Sequence, residues 1–166
     1  PQCLILGGGP EFLGDNRGFL RQYPFVDAVI RGEGELALAD FLTRRDQPER
    51  WRAIPGLCAN LPDGYIDNGM AKPPDLAAMP SPLPADLRNW KKPFLLFETS
   101  RGCAGQCVFC TSGAGHPPTR YFPSERTRTD LRRLYDNGLP EVRLADRTFN
   151  ESPRRCISLL RMFREE

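Results

Sequence analysis

The chain has 166 residues, with 23 Lys and Arg against 21 Asp and Glu and a net charge of +2. That near-balance provides no electrostatic footprint for nucleic acid or an anionic membrane, and no stretch approaches the ~20 apolar residues of a membrane span or reads as a signal peptide. A hydrophobic share of 40% and a charged share of 27% suit a folded protein of one domain, or at most two small ones.

The opening Pro1-Gln2-Cys3-Leu4-Ile5-Leu6 is a short apolar run stopped by Gly7-Gly8-Gly9-Pro10, a buried strand entering a tight loop. A chain that opens inside a strand is expected to be a piece of a longer one. Phe25–Ile30 is the next strand, followed by Arg31-Gly32-Glu33-Gly34-Glu35. An amphipathic helix comes after it, with Leu36, Ala37, Ala39, Phe41 and Leu42 as its apolar stripe. Strand, glycine loop, strand, glycine loop and helix make an α/β pattern that favours a parallel sheet.

From Trp51 to Pro93 the character changes, and eight of the 17 prolines fall there. Gly56–Leu61, Pro62-Asp63-Gly64 and Tyr65–Asp67 predict a small hairpin with an Asp-Gly turn. The remainder, through Pro80-Ser81-Pro82-Leu83-Pro84, is expected to be extended and pinned to a surface. Residues 51–93 therefore read as an ordered connector, bracketed by Trp51 and Trp90 as packing anchors.

Phe94–Glu98 is near-continuously apolar, as for a strand buried on both faces. A cysteine loop follows it. Ser124 is expected to cap a helix whose Leu131, Leu134 and Tyr135 share a face and which Asn137-Gly138 ends. Glu141–Ala145 is the next strand and Asp146–Asn150 its loop. Ser152-Pro153 opens a last helix with Cys156, Leu159, Leu160 and Phe163 as its stripe. The second half is thus β-loop-α-β-loop-α, a unit whose sites form in loops at strand C-terminal ends.

Three of the six cysteines, Cys103, Cys107 and Cys110, lie within eight residues as CxxxCxxC. A disulfide framework spreads its cysteines through a secreted chain, whereas this clustering points to a metal centre in a reducing compartment. Thiolates are soft ligands for iron–sulfur clusters and for zinc. Three can hold three corners of a 4Fe–4S cubane and leave the fourth iron open, with Gly102 and Gly105 letting the backbone wrap closely. The alternative is a structural zinc module with His116 as fourth ligand, although such knuckles usually use CxxC pairs. A ferredoxin-like electron carrier needs a fourth cysteine. Cys156 is the downstream candidate, and its place on a helix stripe argues against it.

The run Glu98-Thr99-Ser100-Arg101-Gly102-Cys103-Ala104-Gly105-Gln106-Cys107-Val108-Phe109-Cys110 closely resembles the cluster loop of radical S-adenosylmethionine enzymes. The resemblance implies that Cys103, Cys107 and Cys110 ligate 4Fe–4S and that the open iron chelates S-adenosylmethionine. One electron from an external donor would then cleave it to methionine and a 5′-deoxyadenosyl radical acting on a small-molecule or other substrate. It also implies that Phe109 lies beside the adenine. Ala145–Asn150 lacks the family's usual glycine-glycine-glutamate run but resembles the Asp-containing variant of its cobalamin-dependent members. Asp146 is therefore the candidate for holding the methionine ammonium group. Read from the residues alone, it could equally cap the loop or pair with Arg143 or Arg147.

Leu4–Glu11 and Val26–Glu35 look like the later part of the cobalamin-binding domain that precedes many radical S-adenosylmethionine domains. That resemblance implies that Gly7, Gly8 and Gly9 lie against the cobalamin nucleotide tail. An Asp-x-His-x-x-Gly motif often found in such domains is absent, and the single histidine is His116. The expected fold is α/β in three parts. Residues 1–50 would end a doubly wound cobalamin-binding-like domain, 51–93 would connect, and 94–166 would supply the first β/α units of a partial (β/α) barrel. A cytoplasmic location is expected. Two unfinished halves predict exposed sheet edges, marginal stability and no turnover by these residues alone. Arg120, Arg126, Arg128, Arg132 and Arg133 read mostly as a solvated face, and Cys3, Cys58 and Cys156 as buried small hydrophobes.

Overall fold

The computed structural model describes residues 3–84, 87, 93–105, 107–110, 118–139 and 141–165. They form two compact units, Pro1–Pro74 and Asp75–Glu166, so the division falls within the stretch read as a connector.

The first unit is a four-stranded sheet in the order β1-β2-β3-β4: Leu6–Gly7, Ala28–Ile30, Leu57–Leu61 and Gly64–Asp67. Side chains alternate across it with the strand period of two. Ala28, Ile30, Leu57, Ala59 and Ile66 enter one core, which Ala37, Phe41 and Trp51 complete. Val29 and Cys58 enter the other, with Leu20, Phe12, Phe19 and Tyr65. Helix α1 (Arg17–Gln22) thus supplies one layer and α2 (Glu35–Thr43) the opposite one.

The sheet is mixed rather than parallel. β1 and β2 are parallel, but the 57–67 hairpin joins β2 through an antiparallel pair. The hairpin forms where its residues predict, with its turn one position earlier. Leu61 pairs with Gly64, so Pro62 and Asp63 are the loop residues. Proline's preset φ suits the first of these positions. On α2, only Ala37 and Phe41 of the expected stripe are buried; Leu36, Ala39 and Leu42 are exposed. Trp51 does anchor by packing: its indole N–H donates to the Arg44 carbonyl at 3.0 Å and its ring lies 5.0 Å from Phe41. Cys58 is buried, whereas Cys3 is exposed. Trp90 lies outside the described residues.

The base of the hairpin is tightly closed. Gly56 sits at φ +86°, where a Cβ would come 2.6 Å from that of Ala71. Asn68 donates its amide to the carbonyls of Trp51 and Ile54, at 2.8 and 2.9 Å. Arg31 binds Asp67 through one guanidinium nitrogen at 2.7 Å and the Leu13 carbonyl through the other two.

In the second unit, β5 (Leu95–Phe97) and β8 (Val142–Leu144) are parallel neighbours joined through α3 (Ser124–Asp136); α4 (Pro153–Glu165) follows β8. Leu95 and Phe97 pack with Leu131, Leu134, Leu159 and Met162 in one core. Leu96, between them, is 66% exposed, which corrects the expectation of a strand buried on both faces. The helices cover one side of this pair, so its residues alternate.

Helix α3 ends on a Schellman motif. Gly138, at φ +71°, donates to Tyr135, and Leu139 donates to Leu134. At its start Pro123 takes the cap position, leaving Ser124 as the first helical residue with no capping bond. Tyr135 and Leu160 are exposed, and Met162 fills the core position expected of Leu160. At α4, Ser152 does cap, accepting from the Arg155 N–H at 3.4 Å.

Two arginines of α3, Arg126 and Arg133, depart from a solvated face. Arg126 donates to the carbonyls of Leu76, Met79 and Pro80 and lies 4.2 Å over the Phe122 ring. Arg133 donates to Pro84. The proline-rich chain is therefore pinned as expected, with α3 arginines as the pins. Among the described residues no helix is long and apolar enough to cross a membrane.

Candidate functional site

The CxxxCxxC loop leaves the C-terminal end of β5 and is held at both ends. Ser100–Arg101 (β6) pairs antiparallel with Arg120–Tyr121 (β7), and the Phe122 N–H donates to the Thr99 carbonyl at 3.1 Å. Two-residue strands carry no periodicity, so nothing in the residue pattern predicts this ribbon.

The loop at the end of β8 lies against the cysteine loop. The Asp146 side chain is 0% exposed. One carboxylate oxygen accepts from the N–H groups of Thr99 and Ser100 at 2.7 and 3.2 Å. The other accepts from the Thr99 hydroxyl and, at 2.8 Å, from the Ser100 hydroxyl. Arg155 stands 3.8 Å from that second oxygen and donates to both the carbonyl and the hydroxyl of Thr99 at 2.7 Å. Asp146 is thus beside the cysteine loop, as its position predicts, with its carboxylate turned into the chain. Its charged neighbour is Arg155, from the next helix, rather than Arg143 or Arg147. Two residues further, the Thr148 hydroxyl lies 2.9 Å from Cys103 Sγ.

All six cysteines carry thiols. Cys103 and Cys110 are half-buried and Cys107 is exposed. The Gly105 N–H donates to Cys103 Sγ at 3.3 Å. A Cβ on Gly105 would stand 3.3 Å from Cys103 Sγ and 3.8 Å from Cys107 Sγ, so the missing side chain is the room between two thiols. Residues 107–110 close a turn through the Cys110 N–H and the Cys107 carbonyl, at 2.9 Å. Val108 and Phe109 stand at its tip, with Phe109 88% exposed. Among the described residues no three His, Cys, Asp or Glu side chains stand close enough together to hold a metal ion. The chemistry of the donor set is that of three thiols on one pinned loop with a glycine between two of them, the soft-ligand type that iron–sulfur and zinc centres use. His116, the fourth ligand of the zinc alternative, lies outside the described residues.

In the first unit, Gly7, Gly8 and Gly9 divide in role. A Cβ on Gly7 would press 3.1 Å from Val29 and 3.2 Å from Phe12, so Gly7 serves internal packing. A Cβ on Gly8 or Gly9 would meet nothing within 4 Å. These two expose bare backbone along a cleft of about 450 Å³, also lined by Ile30, Gly32, Gly34 and Leu38. It lies at the C-terminal ends of the parallel strands β1 and β2, where α/β sheets place ligands.

No family model matches the chain. Over 93% of its length it is 28% identical to the cobalamin-dependent radical SAM methyltransferase TokK of Streptomyces tokunonensis. Over 98% of its length it is 30% identical to an uncharacterised methyltransferase of Pyrococcus horikoshii. It spans 24% and 37% of those two proteins. Its fold matches 32% of the radical S-adenosylmethionine methyltransferase TsrM of Kitasatospora setae, with a TM-score of 0.69, 21% identity and 95% of this chain covered. TsrM has been solved with tryptophan and a S-adenosylmethionine analogue, and with cobalamin and a [4Fe-4S] cluster. The chain is therefore similar to cobalamin-dependent radical S-adenosylmethionine enzymes, and the named proteins it resembles are methyltransferases.

Proposed function

We propose that the chain carries the cofactor-binding portion of a cobalamin-dependent radical S-adenosylmethionine methyltransferase. The observation that supports this reading best is the loop of Cys103, Cys107 and Cys110, pinned at both ends beside the C-terminal ends of two parallel strands. These three residues ligate a 4Fe–4S cluster. When bound, the cluster supplies one-electron cleavage of S-adenosylmethionine, with the electron coming from an external donor.

The chain's own groups bind and orient. Phe109, exposed at the turn tip, offers a ring face to the adenine. Asp146 and Arg155 fix the residues where the strand becomes the loop, so Asp146 acts as a positioning residue. Gly8 and Gly9 give the cobalamin tail a backbone surface free of side chains. In this reading β5, α3, β8 and α4 are the first β/α units of a partial barrel, the first unit ends a cobalamin-binding domain, and the thiols work in a reducing cytoplasm.

Anaerobic reconstitution with iron and sulfide tests the reading. The 166-residue chain should take up four irons per chain, turn brown and give a paramagnetic signal on reduction that S-adenosylmethionine perturbs. Cys103→Ala should lose most of the iron. Unchanged iron loading in that variant, or stoichiometric zinc without sulfide in the purified chain, would overturn it.

A further inference from the structure

The loop after β8 contributes two side chains to the cysteine loop, and they do different things. Asp146 holds backbone. Thr148 reaches a sulfur: its Oγ1 is 2.9 Å from Cys103 Sγ. Between a hydroxyl and a thiol either atom can donate. Once Cys103 ligates as thiolate it carries no proton, and Thr148 becomes the donor of that pair.

We propose that Thr148 raises the reduction potential of the cluster by donating a hydrogen bond to the Cys103 thiolate. This rests on the cluster assignment above. Accepting one electron takes a 4Fe–4S cluster from the 2+ to the 1+ level and places added negative charge on its sulfurs and their ligands. A donor aimed at a ligating sulfur stabilises the reduced level more than the oxidised one. No bond to the protein forms or breaks, and the hydroxyl proton stays on Thr148. The Gly105 N–H, at 3.3 Å, meets the same sulfur from within the loop. Cys103 is thus bound by its own loop and by a side chain 45 residues further along. The half-buried position of both residues keeps water from replacing the bond freely.

The test is a redox titration with dithionite, followed by paramagnetic resonance, on the reconstituted 166-residue chain and its Thr148→Val and Thr148→Ser variants. Valine keeps the shape and removes the donor, whereas serine keeps the donor. The expected result is a roughly tenfold loss in the reduction equilibrium constant for T148V. That is a shift of ~59 mV to more negative potential for one electron. T148S should stay at the parent value. Equal potentials in all three chains, or equal shifts in both variants, would overturn the proposal and leave the cluster assignment standing. Failure of the parent chain to take up iron and sulfide would instead overturn the cluster assignment. If T148V does not load, Thr148→Ala is read by the same criteria.

Discussion

Asp146 accepts from two backbone N–H groups and two hydroxyls while its side chain is shut away from solvent. Removing it orphans the N–H groups of Thr99 and Ser100 and leaves Arg155 facing Tyr121 and Thr99 without its carboxylate. Buried donors without acceptors cost the full desolvation of each group. Asp146→Ala should therefore lower the stability of the second unit by about 2–4 kcal/mol in urea, without any cofactor present. A residue whose sole task is to meet bound S-adenosylmethionine would leave that apo stability unchanged. The urea midpoint of cofactor-free D146A thus separates positioning from ligand binding. The variant should also release iron faster after reconstitution, since the root of the loop is no longer tied.

At the scale of elements, the 57–67 hairpin is fixed to β2 and to Arg31 by charge as well as by its ladder. Burial pushes the Asp67 carboxyl up, but the Gly69 N–H and the Arg31 guanidinium outweigh it and hold it below the usual carboxylate range. A carboxyl depressed in the folded state adds stability that is present above its unfolded pKa of about 3.9. That stability is lost as pH falls through the lower folded value. Urea midpoints of the first unit should therefore drop on acidification from pH 6 to pH 3. Asp67→Asn should reduce the drop by roughly 0.5–1 kcal/mol, the scale of a half-exposed ion pair. A drop of the same size in D67N would show that the pair does not contribute.

This hairpin was legible in the residues because alternation and turn chemistry are both local. The cysteine loop was legible because three thiols at fixed spacing state their own chemistry. What escaped reading is what depends on distant partners. Arg126 and Arg155 look like surface charge in the chain, yet each closes on carbonyls 46 to 56 residues away. Leu96 sits in an apolar run, but a run does not say how many sides of a strand are covered. The clustering of Asp146 beside the cysteines was visible as a loop following the next strand, whereas the direction of its carboxylate was set by Thr99 and Ser100.

At the scale of the whole molecule, each unit encloses its own core: Ile54 and Leu57 lie at the centre of one, Leu134 and Met162 within the other. Substitutions should therefore act on one unit at a time. Gly56→Ala forces a left-handed Cβ onto Ala71 and should cost the first unit at least ~2 kcal/mol. Leu134→Ala opens a cavity under α3 and should cost the second unit ~2–5 kcal/mol. Trp51 is buried in the first unit and the cysteine loop sits in the second, so the two can be followed separately. Protection of backbone amides from hydrogen exchange resolves them residue by residue. G56A should lower protection at Val29 and Ala59 and leave Leu131 and Leu144 as they were, with L134A doing the reverse. Loss of protection across both units from either substitution would mean that the cores unfold as one. Damage to the glycine cleft would then also disable the cysteine loop, about 95 residues further along the chain, and the two candidate sites would share a single stability.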